Sequence, residues 1–243
     1  MLKEFIQHIQ QTTQPQITTI GKSTFAVNAD GGANEIRPII DHPNTLDLHS
    51  LDALVKLVRT EATRVEDLLY ITVPDHMSVR CFGRPIQEER WHRQIYYDVK
   101  ATDVPGWGEK VQMSFDEMQI ALRTRFQQTQ DMPYVQKLLS EISTGAKVTF
   151  NDNGVATTIV TKKGIDLQAN ETIRPIVTLR PYRTFQEVDQ PESIFLIRIN
   201  ERGITFVEAD GGMWKLKARE TVKAFLEEKL AGEINAGAVS VAL

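Results

Sequence analysis

Apolar positions along this chain repeat at two different periods, and the change from one to the other organises it. Leu2, Phe5, Ile6 and Ile9 recur at helical spacing and predict a short opening helix, ended by the polar run around Pro15. Residues 17–40 read as a β-hairpin turning at Asp30-Gly31-Gly32. A helix follows, with Ser50 as N-cap and Leu51, Leu54, Val55 and Val58 as its buried stripe. Residues 68–73, 77–82 and 90–100 read as strands, the first two joined at Pro74-Asp75. Trp91, Ile95 and Tyr97 share one face of the third, and Pro105-Gly-Trp-Gly108 is a loop.

Ser114 and Glu117 form a capping box, opening a helix whose core stripe is Phe115, Met118, Leu122 and Phe126. Asp131 and Pro133 open the next, with Val135, Leu138, Leu139 and Ile142 facing inward. From residue 145 the period is that of strands. Residues 147–151 and 155–161 flank the turn Asn151-Asp-Asn-Gly154, and further strands fit 172–179, 193–200 and 204–209. A second Asp210-Gly211-Gly212 turn is expected to return the chain as a strand over 213–217. A final helix then carries Val222, Phe225, Leu226 and Leu230, and residues 239–243 add a terminal strand.

Helices and strands do not alternate strictly, so the expected class is α+β: a largely antiparallel sheet with several packed helices and a sheet-rich C-terminal part. The 243 residues are read as one domain, with a possible subdivision into a helix-rich 1–145 and a strand-rich 146–243. Hydrophobic residues at 41% and charged residues at 25% are globular proportions. The net charge of −4 argues against strong nonspecific binding to nucleic acid or anionic membranes. The N-terminal stretch lacks the apolar run and cleavage site of a signal peptide, and no segment is apolar enough to span a bilayer. The single cysteine, Cys81, cannot close an intrachain disulfide and reads as a small buried hydrophobe; a reducing cytoplasm is the expected location.

Motifs for chemistry are sparse. Gly21-Lys22-Ser23 resembles the end of a phosphate-binding loop, but Gln16 stands where the loop needs its first glycine and a β-like run follows. The five histidines, three of them beside aspartates, lack metal-ligand spacing, and no Gly-x-Ser-x-Gly elbow occurs. No cofactor is expected. Arg80, Arg84, Arg90 and Arg93, interleaved with Phe82, Trp91, Tyr96 and Tyr97, offer phosphate contacts and stacking faces for a single nucleic-acid strand; sheet packing is the plainer reading.

The densest cluster spans 180–191. Its Arg180, Tyr182, Arg183 and Glu187 suit either an ordered loop or an interface. Glu208 and Asp210, before Gly211-Gly212 and Trp214, offer two carboxylates for a cation or acid–base work; otherwise Asp210 serves the turn and Trp214 the core.

The pattern Leu179-Arg-Pro-Tyr-Arg-Thr-Phe-x-Glu-Val-x-Gln-Pro-x-Ser, then Phe195-x-x-Arg198, then Glu208-Ala-Asp-Gly-Gly-x-Trp-Lys215, resembles the YfdQ-type family of phage and prophage proteins. The likeness covers 175–230, with weaker agreement in element order back to Leu46-x-x-x-Ser-Leu-x-x-Leu-Val; residues 1–40 lie outside it. It implies a bacterial cytoplasm during infection or lysogeny, often beside replication and recombination genes, and assigns no catalytic residue. Three functions are therefore expected, in order. The first is a non-enzymatic accessory protein that self-associates, with rings or shells conceivable. The second is a single-strand or recombination-associated binder, and the third a hydrolase or metal enzyme using Glu208 and Asp210.

Overall fold

The computed structural model describes residues 2–4, 6, 16–21, 23–28, 31–37, 42–62, 68–89, 91–144, 147–152, 157–163, 166–172, 174–200 and 202–243, with the backbone alone for residue 88 and for 143–172. The predicted opening helix falls largely outside these, as do Lys22, Asp30, Arg90 and Gly154. The chain forms two compact units, 1–44 with 84–94, and 45–83 with 95–243.

The first unit carries strands β1 (Gln16–Ile20), β2 (Ser23–Val27) and β3 (Ala33–Ile36), paired antiparallel in the order β1-β2-β3. Ile20 pairs with Ser23, so Gly21, at φ 63°, stands where β1 turns back into β2. That is the reason the sequence around it is not a phosphate loop: the next residues continue as a strand, and no helix N-terminus is there to receive an anion. The second turn closes through Asn28 N donating to Gly32 O at 2.7 Å, with Gly31 at φ 84°.

The second unit holds two five-stranded sheets, each with its own apolar core. Sheet order β16-β5-β6-β7-β4 takes β4 (Leu46–Leu48), β5 (Leu69–Asp75), β6 (Ser78–Ile86), β7 (His92–Lys100) and β16 (Val239–Ala242); the ends of β6 and β7 at 84–86 and 92–94 belong to the first unit. Helices α1 (Leu51–Ala62) and α4 (Met213–Lys229) supply its cover. Ser50 Oγ accepts from Ala53 N, and the expected stripe Leu51, Leu54, Val55 and Val58 is buried. Cys81 lies in this core at 0% exposure, where burial pushes its thiol up to about 12. The terminal strand β16 pairs with β5 in parallel, as β4 does with β7.

The other sheet, order β8-β15-β14-β13-β9, contains β8 (Lys110–Met113), β9 (Phe126–Gln127), β13 (Ile176–Pro181), β14 (Ser193–Asn200) and β15 (Gly203–Glu208). Helices α2 (Phe115–Thr124) and α3 (Met132–Thr144) pack on it. The capping box forms as expected: Ser114 Oγ accepts from Glu117 N at 3.3 Å, and Ser114 N donates to Glu117 Oε2 at 3.0 Å. Phe126 is buried, but from β9 rather than from the helix, which ends at Thr124. Strands β10 (Lys147–Asp152), β11 (Thr157–Lys163) and β12 (Asp166–Thr172) make a separate antiparallel meander. The class is α+β, as the absence of strict alternation predicted, and the C-terminal part is rich in antiparallel pairs. Among the described residues, no helix is long and apolar enough to cross a membrane.

One strand is corrected. Residues 213–217 do not return from Gly211-Gly212 as β structure; they are the first turns of α4. Gly211 and Gly212 take φ 63° and 78°, and Gly212 is the helix N-cap. The apolar ladder Trp214, Ala218, Val222 and Leu226 then runs at i+4 spacing into the core. Met213-Trp-Lys-Leu-Lys217 alternates like a strand, but only Trp214 of its apolar residues is buried; Met213 and Leu216 are exposed.

A buried arginine cluster as the candidate functional site

Residues 182–192 leave β13, cross to the other sheet's core and return as β14. The crossing is anchored by Phe185 and Val188, which bury in the core of the β5-containing sheet, whereas Leu179 before it and Phe195 after it bury in the other. Its backbone is tied by Gln190. That amide oxygen accepts from Arg183 N at 2.9 Å and Thr184 N at 3.1 Å, and the amide nitrogen donates to Phe185 O at 2.9 Å. Thr184 Oγ1 donates to His76 O, fastening the segment to the β5–β6 turn. A buried loop needs such internal partners because water cannot satisfy its amides.

Within this crossing Arg183 turns inward and is 2% exposed. Its Nη1 donates to Glu208 Oε1 and its Nη2 to Ser193 Oγ. The second Glu208 oxygen accepts from Trp214 Nε1 at 3.0 Å. The guanidinium lies over the Trp214 ring at 3.7 Å from its centroid, with Phe195 at 5.8 Å. His76 meets Trp214 edge-on, centroids 4.7 Å apart. Four chain segments thus converge on one cation. Strand β15 delivers Glu208, and the left-handed Gly211-Gly212 turn brings Trp214 back under the arginine six residues further on.

Electrostatics follow from that enclosure. Burial depresses the Arg183 guanidinium to about 10, against the pull of Glu208 and Asp210, so it stays charged at neutral pH. Burial, with Lys215 and Arg183 nearby, also pushes the His76 imidazole below its usual value, although Asp75 pulls the other way. Arg183 Nε has no hydrogen-bond partner among the described residues. A carboxylate working as acid, base or cation ligand must reach its substrate. Glu208, with a 7% exposed side chain and both oxygens engaged, instead neutralises an internal arginine.

The remaining residues singled out from the sequence have separate tasks. Asp210 Oδ1 accepts from Gly212 N at 3.0 Å, inside the turn. Arg180 pairs with Glu192 at 2.9 Å on the surface. Glu187 Oε1 accepts from Leu51 N at 2.8 Å, placing a carboxylate at the N-terminus of α1, where the helix dipole favours it. Tyr182 is half-buried, its N–H donating to Arg125 O at 2.9 Å. Sequence reasoning missed Gln190, Ser193 and His76 as members of this network. Gln190 and Ser193 lay in the quoted motif as plain polar residues, and nothing local marks a polar side chain as buried.

The arginine-aromatic segment divides differently. Arg80, on β6 in the second unit, pairs with Asp98 at 3.3 Å. Arg84, Trp91 and Arg93 belong to the first unit, and Arg90 lies outside the described residues. Trp91 was expected on a packed strand face with Ile95 and Tyr97. It instead precedes β7, stands 64% exposed, and holds φ 64°, an unusual conformation for a bulky side chain. Its N–H donates to Ile86 O at 2.9 Å, closing the β6–β7 connection and forcing the ring outward. Among the described residues no three His, Cys, Asp or Glu side chains group as metal ligands would. Compared with protein-family models, with curated proteins and with solved structures, the chain finds no match.

Proposed function

We propose that the protein acts by self-association, as a non-enzymatic accessory factor of phage or prophage in the bacterial cytoplasm. The observation that carries the self-association is the set of large apolar side chains left uncovered on the second unit: Ile120 at 63%, Ile176 at 57%, Ile194 at 41% and Met213 at 69% exposure. Single exposed apolar residues are ordinary, but here some adjoin. Ile176 pairs with Leu196 and Thr178 with Ile194 across β13 and β14, so Ile176, Ile194 and half-buried Leu196 share one outward sheet face. Grouped apolar surface on a folded protein marks contact with another macromolecule. The phage setting rests on the motif between residues 179 and 215. Sedimentation velocity over a micromolar concentration series tests the reading. A mass that is a multiple of 27.5 kDa is expected, and a monomer throughout overturns it.

A second reading, single-stranded nucleic-acid binding, is favoured by one observation: the exposed Trp91 ring held outward at φ 64° beside Arg93. Stacking on such a ring contributes roughly 1–3 kcal/mol per base. Binding of an oligothymidine that weakens with salt and is lost in Trp91→Ala is the expected result; no binding at low salt ends this reading.

A further inference from the structure

Resting on the self-association reading, we infer that the contact between copies is an antiparallel pairing of α2 with α2 of a second copy, centred on Ala121. A groove of about 430 Å³ runs along α2 beside Gln112 and Met113 of β8, which is an outermost strand of its sheet. Ala121 forms its floor at 4% exposure, while the adjacent Ile120 stands out at 63%. A projecting side chain beside a recess on one helix face is the shape a second copy of that face can fill.

Charge selects the copy over another occupant. Glu117 and Arg125 line the two ends of the groove, four residues before and four after Ala121. At 1.5 Å per residue each lies about 6 Å from the centre. A two-fold axis through Ala121 reverses the partner helix, so Glu117 meets the partner's Arg125 and Arg125 meets the partner's Glu117. A closed two-fold contact requires this self-complementarity, in which each patch carries both halves of the match. A parallel copy would set like charges against each other. Ile120 then enters the partner's recess beside Met113, and the smallness of Ala121 lets the helices approach. One helix pair is small against the ~1,200 Å² of stable interfaces, so the dimer is reversible and concentration-dependent.

Two experiments on the full chain test this. Ile120→Cys, treated with a short bis-maleimide that spans the two copies at the concentration where the wild type associates, is expected to give a cross-linked dimer. Cys81, buried with its thiol pushed up to about 12, stays silent. Glu228→Cys, exposed on α4 and outside both apolar patches, is the matched control and is expected to stay unlinked. In the second experiment, Arg125→Glu and Glu117→Arg each dimerise at least about tenfold more weakly alone. An equimolar mixture recovers the wild-type association, because the heterodimer restores both opposite-charge contacts. Should Glu117→Arg unfold through loss of its cap, seen by circular dichroism, the cross-linking result decides. A wild type that is monomeric throughout removes both the self-association reading and this interface. A wild type that associates while Ile120→Cys stays unlinked, or while Glu228→Cys links as readily, leaves self-association standing and overturns the α2 interface.

Discussion

Two arginine–carboxylate pairs in the second unit use the same chemistry to opposite ends. Arg183 and Glu208 are 2% and 7% exposed, and every contact of the pair is internal. Arg80 and Asp98 are 44% and 16% exposed, 3.3 Å apart, with Lys100 sharing the carboxylate at 3.0 Å. Water and salt screen the second pair, so each member can leave at little cost. Neither screens the first, where removing one partner strands a charge in an apolar setting. A buried arginine at the meeting of four segments therefore fixes architecture, whereas an arginine on a strand face stays available to a ligand.

The comparison breaks most visibly at Arg183. Arg183→Ala leaves Glu208 buried and unpaired and removes the layer over Trp214, and is expected to cost about 3–5 kcal/mol in urea unfolding. Replacing both partners together, Arg183→Met with Glu208→Leu, recovers much of that loss, since no orphan charge remains. If the double variant is as unstable as the single one, Arg183 matters through packing and not through charge. Next in size is Gln190→Leu, which strands the Arg183 and Thr184 amides and is expected to cost about 1–3 kcal/mol by the same measurement.

The third effect is pH dependence at His76. Its folded pKa is below its unfolded one, so the unfolded chain binds more protons in the window below about 6.5. The His76 contribution is present above that value and lost as pH falls through the folded pKa, at a slope of no more than about 1.4 kcal/mol per pH unit. The melting temperature, followed by circular dichroism, should fall on acidification, and the His76→Gln slope should be flatter over the same window. Arg80→Ala is the smallest, at most about 1 kcal/mol, and shrinks in high salt. A cost near that of Arg183→Ala would erase the distinction between the pairs.

Much of the fold was legible because its signals are local. The stripe on α1, the Ser114–Glu117 box, the inward face of α3 and the Asp75 turn each depend on residues within one or two turns of each other. The 213–217 segment failed for the same reason. Its alternation is a true local strand signal, overruled because Gly211-Gly212 adopt left-handed angles and Trp214 is buried against Arg183, Glu208 and His76. Trp91 failed in the other direction, since its apolar character argued for burial and the closing bond to Ile86 turned it out.

The amino-acid pattern alone determined the class, the starts of α1 and α2, the stripes of α1 and α3, the Gly31-Gly32 turn and the burial of Cys81, because backbone preference and apolar period act over a few residues. Only the tertiary structure decided that Arg183, Ser193, Glu208, Trp214 and His76 share one buried cluster, and that Ile120 was left outside. Those outcomes depend on which distant segments exclude water from one another. Solvent exclusion is a property of the packed whole, and the same arginine is a strut within it or a surface charge outside it.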